Sequence, residues 1–140
     1  MKPIVRNIIA VVCGMVVGGF CNMAIVQLGM SQYPANVDTN DMDAVGEFLS
    51  SAGIVFWLYP LIAHASHAFV GGLVAALISK NRKYGTALIV GGLAFLGGLM
   101  MVFVIPAPSW FVSADLIFAY FPMALLGAFL VKRLFQKKRK

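Results

Sequence analysis

Four polar side chains, Asn22, His64, His67 and Asp115, interrupt stretches that are otherwise almost wholly apolar. An imidazole is the side chain that changes charge near neutral pH, and a carboxylate beside it is the usual means of holding or passing that proton. An Asp at the centre of a membrane helix costs about 2.5 to 3.5 kcal/mol on insertion scales, so it faces protein or water and finds a partner. His64 is the expected partner of Asp115. Two chemistries follow from such a cluster. One is a proton or ion relay; the other is an interhelical hydrogen bond that fixes helix register, worth about 0.6 to 2 kcal/mol. One Asp and two His are few for a proton pathway, and the second reading is preferred.

Metal and redox chemistry find little support. His64-x-x-His67 sets two imidazoles on neighbouring faces of one helix, but a zinc site needs three or four ligands and only Asp115 offers a third. Cys13 and Cys21 stand eight residues apart on one helix, about 12 Å along its axis and beyond disulfide reach. No cofactor is expected, and no nucleophile and base pair points to an enzyme.

The segments that carry these residues are defined by charge. Lys and Arg are confined to Lys2 and Arg6, to Lys80–Lys83 and to the tail from Lys132, whereas Asp38, Asp41, Asp43 and Glu47 share one loop. The chain is 61% hydrophobic and 11% charged, against about 25% charged residues in a soluble domain. Four apolar runs, near residues 8–28, 55–79, 84–105 and 110–131, approach the roughly 20 residues that cross the hydrocarbon. Their short links predict an all-α membrane domain over 1–140, four transmembrane helices in an antiparallel up-down bundle. Cytoplasmic loops retain Lys and Arg. Both termini are therefore expected in the cytoplasm, with the loop 29–54 outside and 132–140 a basic cytoplasmic tail. The net charge of +6 then reflects topology, and no nucleic-acid motif accompanies it. The first run is too long for a signal-peptide core and lacks a small-x-small cleavage site, so it is read as an uncleaved span.

Counted from the outer ends of these spans, Asp115, Asn22, His64 and His67 lie about 7 to 18 Å deep at helical rise, at overlapping depths. Small residues recur at helical spacing and mark the close-packing faces: Ala10, Gly14 and Gly18 in the first span, Gly71 in the second, Gly91 and Gly98 in the third. Lipid tails are as apolar as Leu, so such stripes let membrane helices associate by close backbone approach, within a subunit or in a homo-oligomer. Pro122, mid-way along the fourth span, frees the Phe118 carbonyl and predicts a kink. In the outer loop, Met42, Val45 and Leu49 share a face and predict a short amphipathic helix between helices 1 and 2, capped by Thr39 or Asn40. Its acids favour the helix dipole; they lack the ligand pattern of a calcium loop, since Met42 stands where an oxygen is needed. Tyr33, Trp57, Tyr59 and Trp110 are expected at the outer interface, and Tyr84 at the inner one.

Several of these features occur together: Tyr33-Pro34 followed by Asp38 and Asp41; His64-Ala65 leading into Gly71-Gly72; Pro106-x-Pro108-x-Trp110-Phe111; and Asp115 followed by Tyr120-x-Pro122 and Gly127. In them the chain resembles a family of small bacterial four-span inner-membrane proteins with no assigned function. The resemblance implies an inner-membrane protein and supplies no catalytic residues. The expected role is an accessory or interaction subunit whose polar cluster stabilises the bundle and whose outer loop meets a membrane-protein partner. The tail would contact anionic lipid of the bilayer at about 1 kcal/mol per basic residue. The alternative is an oligomeric transporter or proton-coupled carrier using Asp115 and His64/His67.

Overall fold

Pro3 opens the first helix, where its missing N–H would have had no partner in any case. In the computed structural model, which describes residues 2–137, this helix, α1, runs Pro3–Met30. It is followed by α2 (Met42–Ser51), α3 (Ile54–Ile78) and α4 (Lys83–Val102). The last apolar run is divided into α5 (Ser109–Ala114), one wide π-helical turn (Asp115–Ala119) and α6 (Phe121–Lys137). Four helical segments, α1, α3, α4 and Ser109–Phe135, are long and apolar enough to cross a membrane.

The third apolar run leaves its helix, α4, at Val102, three residues before the expected limit, because Phe103 and the following residues form a turn ahead of Pro106. Helix α6 carries on through Lys132–Lys137, residues read from sequence as tail; 138–140 lie outside the described residues.

Size is distributed inside out. The buried positions are mostly Ala and Gly, among them Ala10, Ala63, Ala68, Ala75, Ala87, Ala124 and Ala128, whereas Ile8, Val12, Phe20, Leu96, Ile117 and Phe118 are exposed. Water would penalise such a surface, and hydrocarbon does not. Helix α3 lies at the centre, in contact with α1, α4 and α6. At the α1–α3 crossing, a Cβ added to Gly14 would come within 2.5 Å of the Gly71 carbonyl, and one on Gly71 within 2.8 Å of the Gly14 carbonyl. Gly91 admits Ala124 of α6 in the same way, since a Cβ there would stand 3.0 Å from the Ala124 methyl. The small-residue stripes are thus occupied within the chain.

The basic regions meet at one end. Arg6 Nε donates to the Ile78 carbonyl, and Ser79 Oγ donates to Asn7 Oδ1 at 2.9 Å. Lys83 Nζ donates to the carbonyls of Ala76 (2.7 Å) and Ser79 (3.0 Å), satisfying acceptors that a helix C-terminus leaves open and complementing its dipole. At the opposite end α2 packs through its apolar side chains. Val45 and Leu49 are buried with Trp57 and Phe111, and Met30 and Ile105 pack around them. Trp57 is only 4% exposed, so it belongs to this core and not to an outward-facing aromatic belt. The cap of α2 is Asp41, whose side chain accepts from the Asp43 N–H at 3.0 Å. Thr39 and Asn40, expected to cap, precede it; Asp38 uses its own carboxylate to fold the Asn40 amide back at 2.9 Å.

Candidate functional site

Helix α3 delivers His64, and the wide turn delivers Asp115 and, just beyond it, Tyr120. Asp115 Oδ1 lies 2.8 Å from His64 Nδ1. With Asp115 ionised the carboxylate only accepts, and Nδ1–H is then the donor. Tyr120 Oη donates to Asp115 Oδ2 at 2.8 Å and lies 2.9 Å from His64 Nδ1. The three side chains close a ring in which two protons serve three contacts, Nδ1–H being shared between Asp115 Oδ1 and Tyr120 Oη. Asp115 and Tyr120 are 2% and 1% exposed, whereas the His64 side chain keeps 20% of its surface open.

The wide turn makes this ring. In an α-helix residues five apart point about 140° away from each other. A π turn bonds i to i+5, which brings positions 115 and 120 to one face. Its cause lies next to it: Pro122 has no N–H and its ring excludes the carbonyl four residues back. The backbone widens over Asp115–Ala119 directly before Phe121-Pro122, so the irregularity lies upstream of the proline where a kink was expected. Gly98 completes the support. Any Cβ at that position would collide with the Tyr120 hydroxyl. The Tyr120 ring stacks on His64, centroids 5.7 Å apart, and meets Phe95 edge-on at 5.8 Å.

The other two expected members stand apart. His67 faces α1, where a Cβ on Gly18 would come within 2.6 Å of its Cδ2; its Nε2 is buried with no partner among the described residues. Asn22 is half-buried, and no hydrogen bond among the described residues joins it to the ring. Tyr120, absent from the expected cluster, is its third member. Its only signal in the sequence is its place midway along a span, whereas the other Tyr and Trp residues stand near span ends or in the loop.

A cavity of about 210 Å³ has His64 and Asp115 among its lining residues. Met42, Val45 and Leu49 of α2 form one side, and Trp57, Met101 and Phe111 are among its other walls. Three groups that can bear a proton share the ring, and two of them, His64 and Asp115, are among the residues that line the cavity. Among the described residues no three His, Cys, Asp or Glu side chains gather as metal ligands. Comparison with family models, curated proteins and solved structures yields no match for this chain.

Proposed function

We propose that the chain is a small multi-pass protein of a bacterial inner membrane, an up-down four-helix bundle that serves as an accessory or interaction subunit. The closed His64–Asp115–Tyr120 ring carries this reading, because each group in it is partnered by the other two. Such a ring fastens α3 to the last helix and fixes its rotation. Convergence of the basic regions at one end supports cytoplasmic termini, since cytoplasmic segments retain Lys and Arg. The outer loop then presents Asp38, Asp41, Asp43 and Glu47, all exposed, as the surface that meets a partner. With the Gly stripes of α1 and α3 spent on each other, a partner within the bilayer would pack on large side chains such as Val12 and Phe20 of α1.

The test is thermal unfolding in detergent together with flux in reconstituted vesicles. Asp115→Asn and His64→Ala are expected to lower the unfolding temperature, and vesicles with or without the substitutions should show no pH-dependent flux. Movement of protons or a solute by the purified protein alone would overturn the subunit reading. The carrier alternative draws on one observation, the cavity lined in part by His64 and Asp115. It would use those two residues without His67.

A further inference from the structure

The cavity beneath α2 has the composition of a binding site. We infer that it takes a small hydrophobic organic cation, an amine whose ammonium group meets Asp115 while its apolar body lies against Trp57 and Phe111. Four observations lead there. Of the residues that line the cavity, His64 and Asp115 alone are ionisable, and neither Lys nor Arg is among them. An anion would therefore meet a carboxylate with no fixed cation to offset it. A carboxylate offers about four acceptor positions, and Asp115 uses one on each oxygen within the ring. Acceptor capacity is left for an ammonium donor, and His64 Nδ1 is already committed to Asp115 and Tyr120.

The walls favour the same class. Trp57 and Phe111 pack with ring centroids 4.7 Å apart, and both line the cavity; they offer the body of the amine an aromatic surface on which an apolar ring packs favourably. An ammonium taken from water needs a charged partner to recover its hydration, and Asp115 is that partner. Size sets the remaining limit. At about 210 Å³ the cavity falls below the roughly 300 to 1,000 Å³ of sites for drug-sized ligands. A single-ring amine fits this volume. Helix α2 provides the cover, with Met42, Val45 and Leu49 on the cavity side and its acidic residues outside.

Benzylamine and its neutral counterpart benzyl alcohol distinguish this from simple partition into lipid or detergent. In a Trp110→Phe background Trp57 is the sole tryptophan, so its fluorescence reports the cavity in full-length protein held in nanodiscs. Benzylamine is expected to change that fluorescence saturably and to raise the unfolding temperature, at concentrations about tenfold lower than benzyl alcohol requires, the size of one charge-assisted hydrogen bond. Val45→Phe, which fills the cavity from α2 and leaves the ring intact, should abolish both effects. Asp115→Asn should make amine and alcohol equivalent. Equal responses to the two probes in the unsubstituted protein, or an unchanged amine response in Val45→Phe, would overturn the proposal. If Asp115→Asn does not fold, those two comparisons decide it. The outcome is separable from the subunit reading: binding without flux leaves both standing, and flux without amine preference removes both.

Discussion

Tyr120 ties the polar ring together, since its one hydroxyl reaches both Asp115 and His64. Tyr120→Phe leaves the ring stack in place but removes the donor to Asp115 Oδ2. The expected loss is about 1 to 3 kcal/mol, the cost of leaving a buried acceptor short of its partner. Gly98→Ala should cost a similar 1 to 3 kcal/mol by overpacking, although Gly98 itself makes no polar contact with the ring. Its effect should be smaller but still present in a Tyr120→Phe background, where the hydroxyl is gone while the ring carbon Cζ still crowds the added methyl; unfolding of the two single variants and the double variant in detergent checks this. The His64–Asp115 pair is readable in the sequence because depth within a span can be counted. Rotation about the helix axis cannot be read equally well. His67, three residues beyond His64, turns toward α1 where Gly18 leaves room. Tyr120 is hidden because five-residue spacing points away from Asp115 under α-helical arithmetic.

At the scale of elements, the wide turn depends on Pro122. Pro122→Ala restores a donor and allows residues 115–122 to become α-helical. The helix itself should not suffer, since Ala is favoured over Pro by about 3 kcal/mol in a helix interior. The ring should, because α-helical winding turns Asp115 and Tyr120 about 140° apart. The expected result is a double-mutant coupling between His64 and Tyr120 that is clear in the natural sequence and near zero in the Pro122→Ala variant, whatever happens to total stability. A proline in a sequence signals a local break but not its form, which is why a kink is legible there and a π turn is not.

Helix α2 and the loop before it offer a check of their own. Tyr33 packs on Phe48 and Phe56, and burial pushes its phenol above the ordinary 10.0. The folded state thus holds this proton more tightly than the unfolded chain. Its contribution to stability is complete below about pH 10 and is lost as pH rises through the folded value. An absorbance titration should show Tyr33 moving back toward 10.0 in Phe48→Ala. The amphipathic pattern of Met42, Val45 and Leu49 makes this helix legible. Its cap is less so, because Asp, Asn and Thr compete for that position in the run Asp38–Asp41.

For the molecule as a whole, the proposed orientation has a direct test. In a background with Cys13 and Cys21 replaced by Ser, Asn40→Cys should react with a membrane-impermeant thiol reagent in intact cells, and Asn81→Cys only after the membrane is opened. The reverse pattern would invert the topology. The number of helices able to span is legible because hydropathy and charge sorting are properties of whole segments, and segment averages survive local error. The packing order of those helices is not, since small residues stripe several spans and only three-dimensional geometry says which stripes meet.

The inside-out distribution of side-chain size has a bearing on how this sequence can drift. In a water-soluble fold the large apolar residues are the constrained ones. Here the constraint falls on Gly14, Gly18, Gly71 and Gly72, where one added methyl would strike another helix's backbone or side chain. Exposed positions such as Ile8, Phe20, Leu96 and Ile117 can exchange among apolar types at little cost. Among descendants of this chain, the record of ancestry would be kept by its smallest residues and erased first from its largest.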